Sequence, residues 1–321
     1  MLIDIDRLEP VWEPQDFEVI ESFQGVIISC SGGADSTALS LIFSEMTKRK
    51  NNFPLALFHM NFGLRGNDSV EDERFVRDLA AHLDCALYVE HADASTMPPG
   101  ESVQEWARRL RREKLELFAG KTQVIVLGHH LDDVAESVLM RLSRGSSPGT
   151  MAGMRVYAQP YWRPLLTTSK EIIKKYLQKQ GQTWREDLSN ASDIYARNVV
   201  RLKVLPELER LFPGASARIA RTALEAQDLA QAAEQVLVPK DFSCNTLLPL
   251  SFIASHPDSV ARFLLASLIK YALPNQFKQL SQSFLDQVLL VTRAPKPGVW
   301  ARQLPGGGTI KIHDQKFWIE P

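Results

Sequence analysis

The chain is poor in cysteine: three residues, Cys30, Cys85 and Cys244, stand far apart among 321, and none falls in a C-x-x-C pair. That spacing argues against a disulfide framework, a zinc ribbon or an iron–sulfur cluster, and fits a reducing compartment. A long apolar run is lacking as well; the longest, FLLASLI at 263–269, is too short to span a bilayer. The opening MLIDIDRLEP carries no basic-then-apolar leader. These absences set the expectation of a cytoplasmic protein with no membrane partner. Net charge is also nearly absent, at −1, so any attraction for a polyanion has to be local. There is no internal repeat and no low-complexity tract, and a homodimer is among the assemblies the composition allows.

What is present is an ordinary globular balance, 45% hydrophobic and 23% charged, over a length sufficient for two domains. Apolar, β-rich runs at 25–29, 54–59, 86–89 and 123–128 alternate with helix-period segments at 35–49, 69–83, 101–118 and from 131 onward. This order predicts an α/β fold, βαβ units wound onto a doubly wound parallel sheet, with ligands beyond the carboxyl ends of the strands. After residue 144 the pattern changes. A Gly/Ser/Pro-rich loop precedes a capped helix at 169–181, an Ala/Leu-rich helix at 221–237, helices near 258–271 and 279–291, and a strand-like, turn-rich tail. The expected division is 1–215 as a catalytic domain and 216–321 as a linker helix with a smaller, mostly helical domain.

Between the first strand and the first long helix stands Ser31-Gly32-Gly33-Ala34-Asp35-Ser36. Two adjacent glycines let the backbone curl so that N–H groups converge on an anion, and the two serines add hydroxyl donors at the positive end of a helix. The loop has no Walker A lysine, which is dispensable where the leaving pyrophosphate is held and the α-phosphate stays open to attack. Asp35 can then help place Mg2+, which prefers carboxylate and phosphate oxygens. The plain alternative is a tight turn with a capping serine or aspartate; the full string in a strand–helix setting favours the phosphate site.

A second segment, GHHLDDVAESVLMRL at 128–142, places Leu131, Val134, Ala135, Val138 and Leu142 on one helix face and Asp132, Asp133 and Glu136 on the other. A capped surface helix explains that pattern, and so does an amine site made of three carboxylates. A zinc site on His129 and Asp133 lacks further histidines nearby. In ESVQEWARRLRREKLELF at 101–118, Val103, Trp106, Ala107, Leu110 and Leu117 form an apolar face opposite Arg108 and Arg112, which are either solvated or poised to pair with a carboxylate or phosphate. Arg197 and Arg201 share a helix face suited to sugar–phosphate contact, and basic residues outnumber acidic ones five to two over 201–221; a structural network with Asp187 is the competing reading. Gly145 to Gly149 fit G-x-S-x-G but follow a helix, so the nucleophile elbow is missing.

The SGGADS string resembles the signature of the PP-loop (N-type) ATP pyrophosphatases, which split ATP into AMP and pyrophosphate. More narrowly, the chain resembles the tRNA(Ile)-lysidine synthetases. His129, Asp132, Asp133 and Glu136 match their HxxDDxxE pattern, and Glu105, Ala107, Arg108 and Arg111 match E-x-A-R-x-x-R. Asp187, Ser189, Asn190, Arg197, Asn198, Arg201, Leu205 and Pro206 match D-x-S-N, R-N-x-x-R and L-P. The resemblance implies ATP on Ser31 to Ser36, Mg2+ on Asp35, and catalytic roles for Asp35, Asp132, Asp133 and Glu136. It implies L-lysine on Asp133, Glu136 and Arg108, and tRNA(Ile) with a CAU anticodon on Arg197, Arg201 and the C-terminal domain. The implied reaction adenylates the wobble cytidine and replaces AMP by the lysine ε-amine. Phe62, Arg112, Thr150 and Met151 depart from the family pattern, which keeps open a relative that attaches another amine. Other rivals are a small-molecule amide synthetase of the same superfamily, a tRNA thiolase, against which the cysteine spacing speaks, and a paralogue that only binds tRNA.

Overall fold

Val26, Ile27 and Ile28 are wholly buried, yet they face two different cores. Val26 and Ile28 point into a large cluster with Leu39, Phe43 and Trp162, while Ile27 joins a smaller one with Phe58, Leu115 and Ile125. A β-branched run apolar on both sides belongs in the middle of a sheet covered on both faces. Burying each such side chain contributes roughly 1.5–3 kcal/mol.

The computed structural model describes residues 1–49, 53–145, 151, 153–186, 196–274, 280–295 and 297–321. They form two compact units, Met1–Leu139 with Gly153–Arg221, and Met140–Ala152 with Thr222–Pro321. The chain opens on a short ribbon of β1 (Leu2–Ile3) and β2 (Pro10–Val11), then α1 (Pro14–Glu21). Next come β3 (Gly25–Ser29), α2 (Ala34–Arg49), β4 (Leu55–Asn61), α3 (Asn67–Leu83), β5 (Ala86–His91), α4 (Val103–Ala119), β6 (Gln123–Val126) and α5 (Leu131–Leu142). The hairpin of β7 (Tyr157–Ala158) and β8 (Tyr161–Trp162) follows, then α6 (Lys170–Lys179) and α7 (Ala196–Val199). A wider, π-type turn over Val200–Val204 joins α7 to α8 (Leu205–Leu211), and α9 (Ala215–Leu237) comes next.

The main sheet has the order β5-β4-β3-β6-β8-β7. All neighbours are parallel except the β7–β8 edge pair. The chain winds outward from β3 through β4 to β5, then returns to place β6 on the other side of β3. That reversal opens a crevice beyond the carboxyl ends of β3 and β6, where such sheets bind ligands. The expected doubly wound α/β class is the one observed. SGGADS follows β3 and GHHLDD follows β6, so topology brings the two segments to one place.

Two expectations about helix faces are corrected. In α4 the buried residues are Trp106, Leu115 and Ala119, whereas Leu117 is 72% exposed. Trp106 packs against Phe62 while Leu115 and Ala119 pack on the sheet, so the helix has two neighbours and one stripe does not describe it. In α5, Val134, Ala135 and Val138 are buried as expected, but Leu142 is half exposed and the acidic face is not solvated: Asp133 and Glu136 are buried.

The second unit has its own core, in which Leu264, Leu265 and Leu268 of α11 (Asp258–Ala272) meet Val288 of α12 (Gln282–Arg293). The short α10 (Ser251–Ala254) precedes them. An antiparallel sheet of order β10-β11-β12-β9 completes the unit, from β9 (Leu248–Pro249), β10 (Trp300–Gln303), β11 (Thr309–His313) and β12 (Lys316–Glu320). Ile310, Ile312, Phe317 and Ile319 turn their alternating apolar side inward. Among the described residues no helix is long and apolar enough to cross a membrane.

Candidate active site

The loop after β3 closes on itself through its own hydroxyls. The Ser31 N–H donates to Ser36 Oγ (3.2 Å), Ser36 Oγ donates to the Gly33 carbonyl (3.1 Å), and Thr37 Oγ1 donates to the Gly32 carbonyl (3.2 Å). Gly32 has φ +84°, a conformation that disfavours any side chain, and the Arg185 N–H binds its carbonyl at 2.9 Å. The first turn of α2 then presents N–H groups that no helical carbonyl can take, the requirement for a phosphate cradle. Gly128, after β6, lies directly against this turn. A Cβ there would stand 3.1 Å from Asp35 Cβ and 3.3 Å from Ser36 N, both anchored to backbone. Gly128→Ala is therefore expected to displace the loop by a few tenths of an ångström and raise the KM for ATP about tenfold. Steady-state kinetics with varied ATP would show it, and an unchanged KM would mean that the loop tolerates the shift.

The carboxylates expected to act together are joined by cations. Glu136 accepts from Arg197 Nε (2.7 Å), Arg201 Nε (2.5 Å) and Arg201 Nη2 (3.2 Å); Asp133 Oδ1 accepts from Arg197 Nη2 (2.8 Å) and Arg201 Nη2 (3.3 Å). Asp133 Oδ2 accepts the His130 N–H at 3.1 Å. Asp132 points elsewhere: its Oδ2 accepts the backbone N–H of Lys170 (2.8 Å) and lies 3.3 Å from His130 Nδ1, without hydrogen-bond alignment. Asp35 Oδ2 accepts from Lys170 Nζ at 2.5 Å, while Asp35 Oδ1 is buried without a partner. Lys170 thus bridges the Ser31–Ser36 loop and the acidic helix. The Leu131 N–H to Thr168 carbonyl bond, 3.0 Å, ties the starts of α5 and α6 together.

Electrostatics sorts these groups. Burial pushes His129 down to about 4 against the attraction of Asp133, so this imidazole stays neutral. Burial also opposes a charged His130, but Asp132 and Asp133 outweigh it and raise its pKa. Burial works against the Asp133 carboxylate, yet His130 and Arg197 hold its pKa below the usual range; the His130 ring and the Lys170 N–H do the same for Asp132. Four carboxylates (Asp35, Asp132, Asp133, Glu136) face three permanent cations (Lys170, Arg197, Arg201). The balance turns on His130: one negative charge is in excess with the ring neutral, and none with it protonated, the form that its raised pKa favours.

Arg108 is exposed on α4 and, with Arg163, adds positive charge to the surroundings of His129. Two of the family departures, Arg112 and Phe62, have local contacts. Arg112 pairs with Glu116 (2.9 Å) and stacks over Tyr161, and Phe62 packs between Trp106 and the guanidinium of Arg111. Asp187, Ser189, Asn190 and Thr150 lie outside the described residues. Arg197 and Arg201, expected on sugar–phosphate, contact Asp133 and Glu136, and both side chains are about a third exposed.

Sequence reasoning missed Lys170 and Arg163. Lys170 opens α6, where a cation opposes the helix dipole; that local misfit was the available signal. Arg163 interrupts the buried run of Trp162, Pro164 and Leu165, and its Nε is buried without a partner.

A family model described as a PP-loop domain matches residues 8–208. A tRNA(Ile)-lysidine synthase of Rhodopirellula baltica is 33% identical over 219 residues, covering 61% of this chain and 55% of that protein. One from Parabacteroides distasonis is 36% identical over 242 residues, covering 71% and 53%. The chain spans about half the length of these curated relatives. Among solved structures, the U34-tRNA thiolase NcsA from Methanococcus maripaludis, with its 4Fe-4S cluster, superposes with a TM-score of 0.53 at 16% identity, covering 67% of this chain and 79% of that one. That likeness is one of fold.

Proposed function

The chain belongs to the PP-loop domain family of ATP-using enzymes, and from that premise we propose that it is a ligase that adenylates the wobble cytidine of tRNA(Ile) with a CAU anticodon and attaches L-lysine through its ε-amine. The observation that carries this reading is the single ionic array joining the ATP loop to the acidic helix through Lys170. A nucleotide on one end and an amine on the other would then lie side by side. Holding both against the cytidine supplies much of the acceleration.

Each group has a part. Ser31 to Ser36 hold the phosphates, so that the cytidine carbonyl oxygen attacks the α-phosphorus and pyrophosphate leaves. Asp133 and Glu136 hold the ε-ammonium, and Arg108 takes the α-carboxylate, for which a planar fork of donors is well suited. The ammonium first gives up a proton, to water or to one of these carboxylates, and the free amine then displaces AMP, a far better leaving group than oxide. Asp35 fits a Mg2+ ligand, since one of its oxygens is buried and unpartnered. Phosphate oxygens and water would supply further ligands, as this ion prefers. When bound, the ion neutralises charge on the phosphates.

Arg197 and Arg201 pair with Asp133 and Glu136 and, through their exposed third, reach an RNA phosphate; a guanidinium has five donors, enough for both duties. Arg197→Ala is expected to weaken tRNA binding and to reduce the slope of log affinity against log salt by about one. A slope equal to wild type would leave the arginine with the ion-pair role alone. The second unit would grip the tRNA body, and a cytoplasmic setting supplies every reactant.

The reading is tested by mass spectrometry of the wobble nucleoside after incubation with ATP, tRNA and an equimolar mixture of amines. It predicts the lysine adduct. An adduct of another amine would make the protein a relative of different specificity, and pyrophosphate release without RNA would favour a small-molecule amide synthetase.

A further inference from the structure

Lys170 stands where a lysine is locally disfavoured. It is the first residue of the ten-residue helix α6, at the positive end of the dipole, and Ser169 caps the turn by accepting the Ile172 N–H. Among the described residues its ammonium has one hydrogen-bond partner, Asp35 Oδ2 at 2.5 Å, across 135 residues of chain. Asp35 is itself half satisfied, with Oδ1 buried and unpartnered. A carboxylate with one oxygen on a lysine and the other facing nothing is poised to change partner, because leaving a buried acceptor unmade is costly. The lysine is poised too. Its side chain is 37% exposed, its stem is flexible, and only its backbone N–H is fixed, on Asp132.

We propose that Lys170 is a partner-exchanging residue of the ATP step: it neutralises Asp35 while the site holds no nucleotide and moves to the leaving pyrophosphate when Asp35 turns to Mg2+. The inference rests on the assignment of Ser31 to Ser36 as the ATP loop. In the step itself, the bond from the α-phosphorus to the bridging oxygen breaks, and its electron pair stays on the pyrophosphate. A bond from the attacking carbonyl oxygen to the α-phosphorus forms. Lys170 transfers no proton; it donates a charged hydrogen bond to an oxygen that gains charge as the old bond breaks, which is where a fixed cation accelerates most. The exchange also removes a penalty, since Asp35 need not stay an unpaired anion before the ion arrives.

Partner exchange has a signature that a merely structural lysine does not. In Lys170→Met the ion no longer competes with an ammonium for Asp35. The Mg2+ concentration that half-saturates ATP binding, measured on the full chain by calorimetry without RNA or lysine, should fall about tenfold, equivalent to about 1.4 kcal/mol. In single-turnover reactions with tRNA, pyrophosphate release by the same variant should slow by about 100-fold. Lys170→Arg, which keeps the charge, should retain the wild-type Mg2+ requirement and recover most of the release rate. Because the Asp132 bond is to backbone, neither change should alter the start of α6, and melting temperatures should stay within a few degrees of wild type. A Mg2+ requirement unchanged or raised in Lys170→Met overturns the proposal, and so does normal pyrophosphate release. If the methionine variant does not fold, Lys170→Arg decides alone, and a release rate as low as background counts against it. Wild-type protein that fails to bind ATP with Mg2+ would instead overturn the assignment of the loop itself.

Discussion

Asp35→Ala is expected to lower pyrophosphate release by about 100- to 1000-fold while tRNA binding survives. Asp35 is the second residue of α2 and belongs to none of the apolar clusters, so its removal opens no core cavity. What disappears is the only carboxylate in the ATP loop, and with it the partner of Lys170. The lysine ammonium, left without its acid, would remain available to phosphate, so ATP binding should weaken far less than turnover. Pyrophosphate release measured beside filter binding of tRNA separates the two. Unchanged turnover would remove Asp35 from the mechanism.

Glu136→Gln should have the largest effect on stability and a large one on the amine step. Glu136 is 1% exposed and, among the described residues, accepts hydrogen bonds from both Arg197 and Arg201, which link α5 to the segment from Ala196 onward. Glutamine fits the space but brings no charge and a single acceptor oxygen, leaving both guanidiniums to Asp133. Removing one member of a buried ion pair costs about 3–5 kcal/mol. Here the arginines are about a third exposed and water recovers part of that, so the expected loss is about 2–3 kcal/mol. The lysine concentration needed for half-maximal product should rise at least about tenfold. Denaturant unfolding and lysine-dependent kinetics test the two halves. Normal lysine kinetics in both Glu136→Gln and Asp133→Asn would refute the amine pocket.

The parts of this site that follow one another in the chain were legible in the sequence. A β-branched run, two glycines and a helix announce β3, the tight turn at Gly32 and α2, because each signal is local. The same holds for β6 and α5, and βαβ alternation then implies that the two loops meet. Contacts across the fold were not legible. Glu136 and Arg197 are 61 residues apart, and Lys170 and Asp35 are 135 apart; no periodicity reports such a pairing. That is why the acidic face read as either a solvated helix or an amine site, and the arginine pair as either a phosphate contact or a structural network, with no sign that the two meet. The register of α4 failed for a related reason: its burial is set by Phe62 at one end and the sheet at the other.

The account depends on cleavage of ATP between its α- and β-phosphorus atoms, with AMP passing to the RNA. The direct measurement is incubation of the protein with tRNA(Ile) and ATP labelled at the α-phosphorus, lysine being withheld. The label should appear on the RNA and be released as AMP once lysine is added. Label recovered in ADP, or an RNA that never becomes labelled, would contradict it.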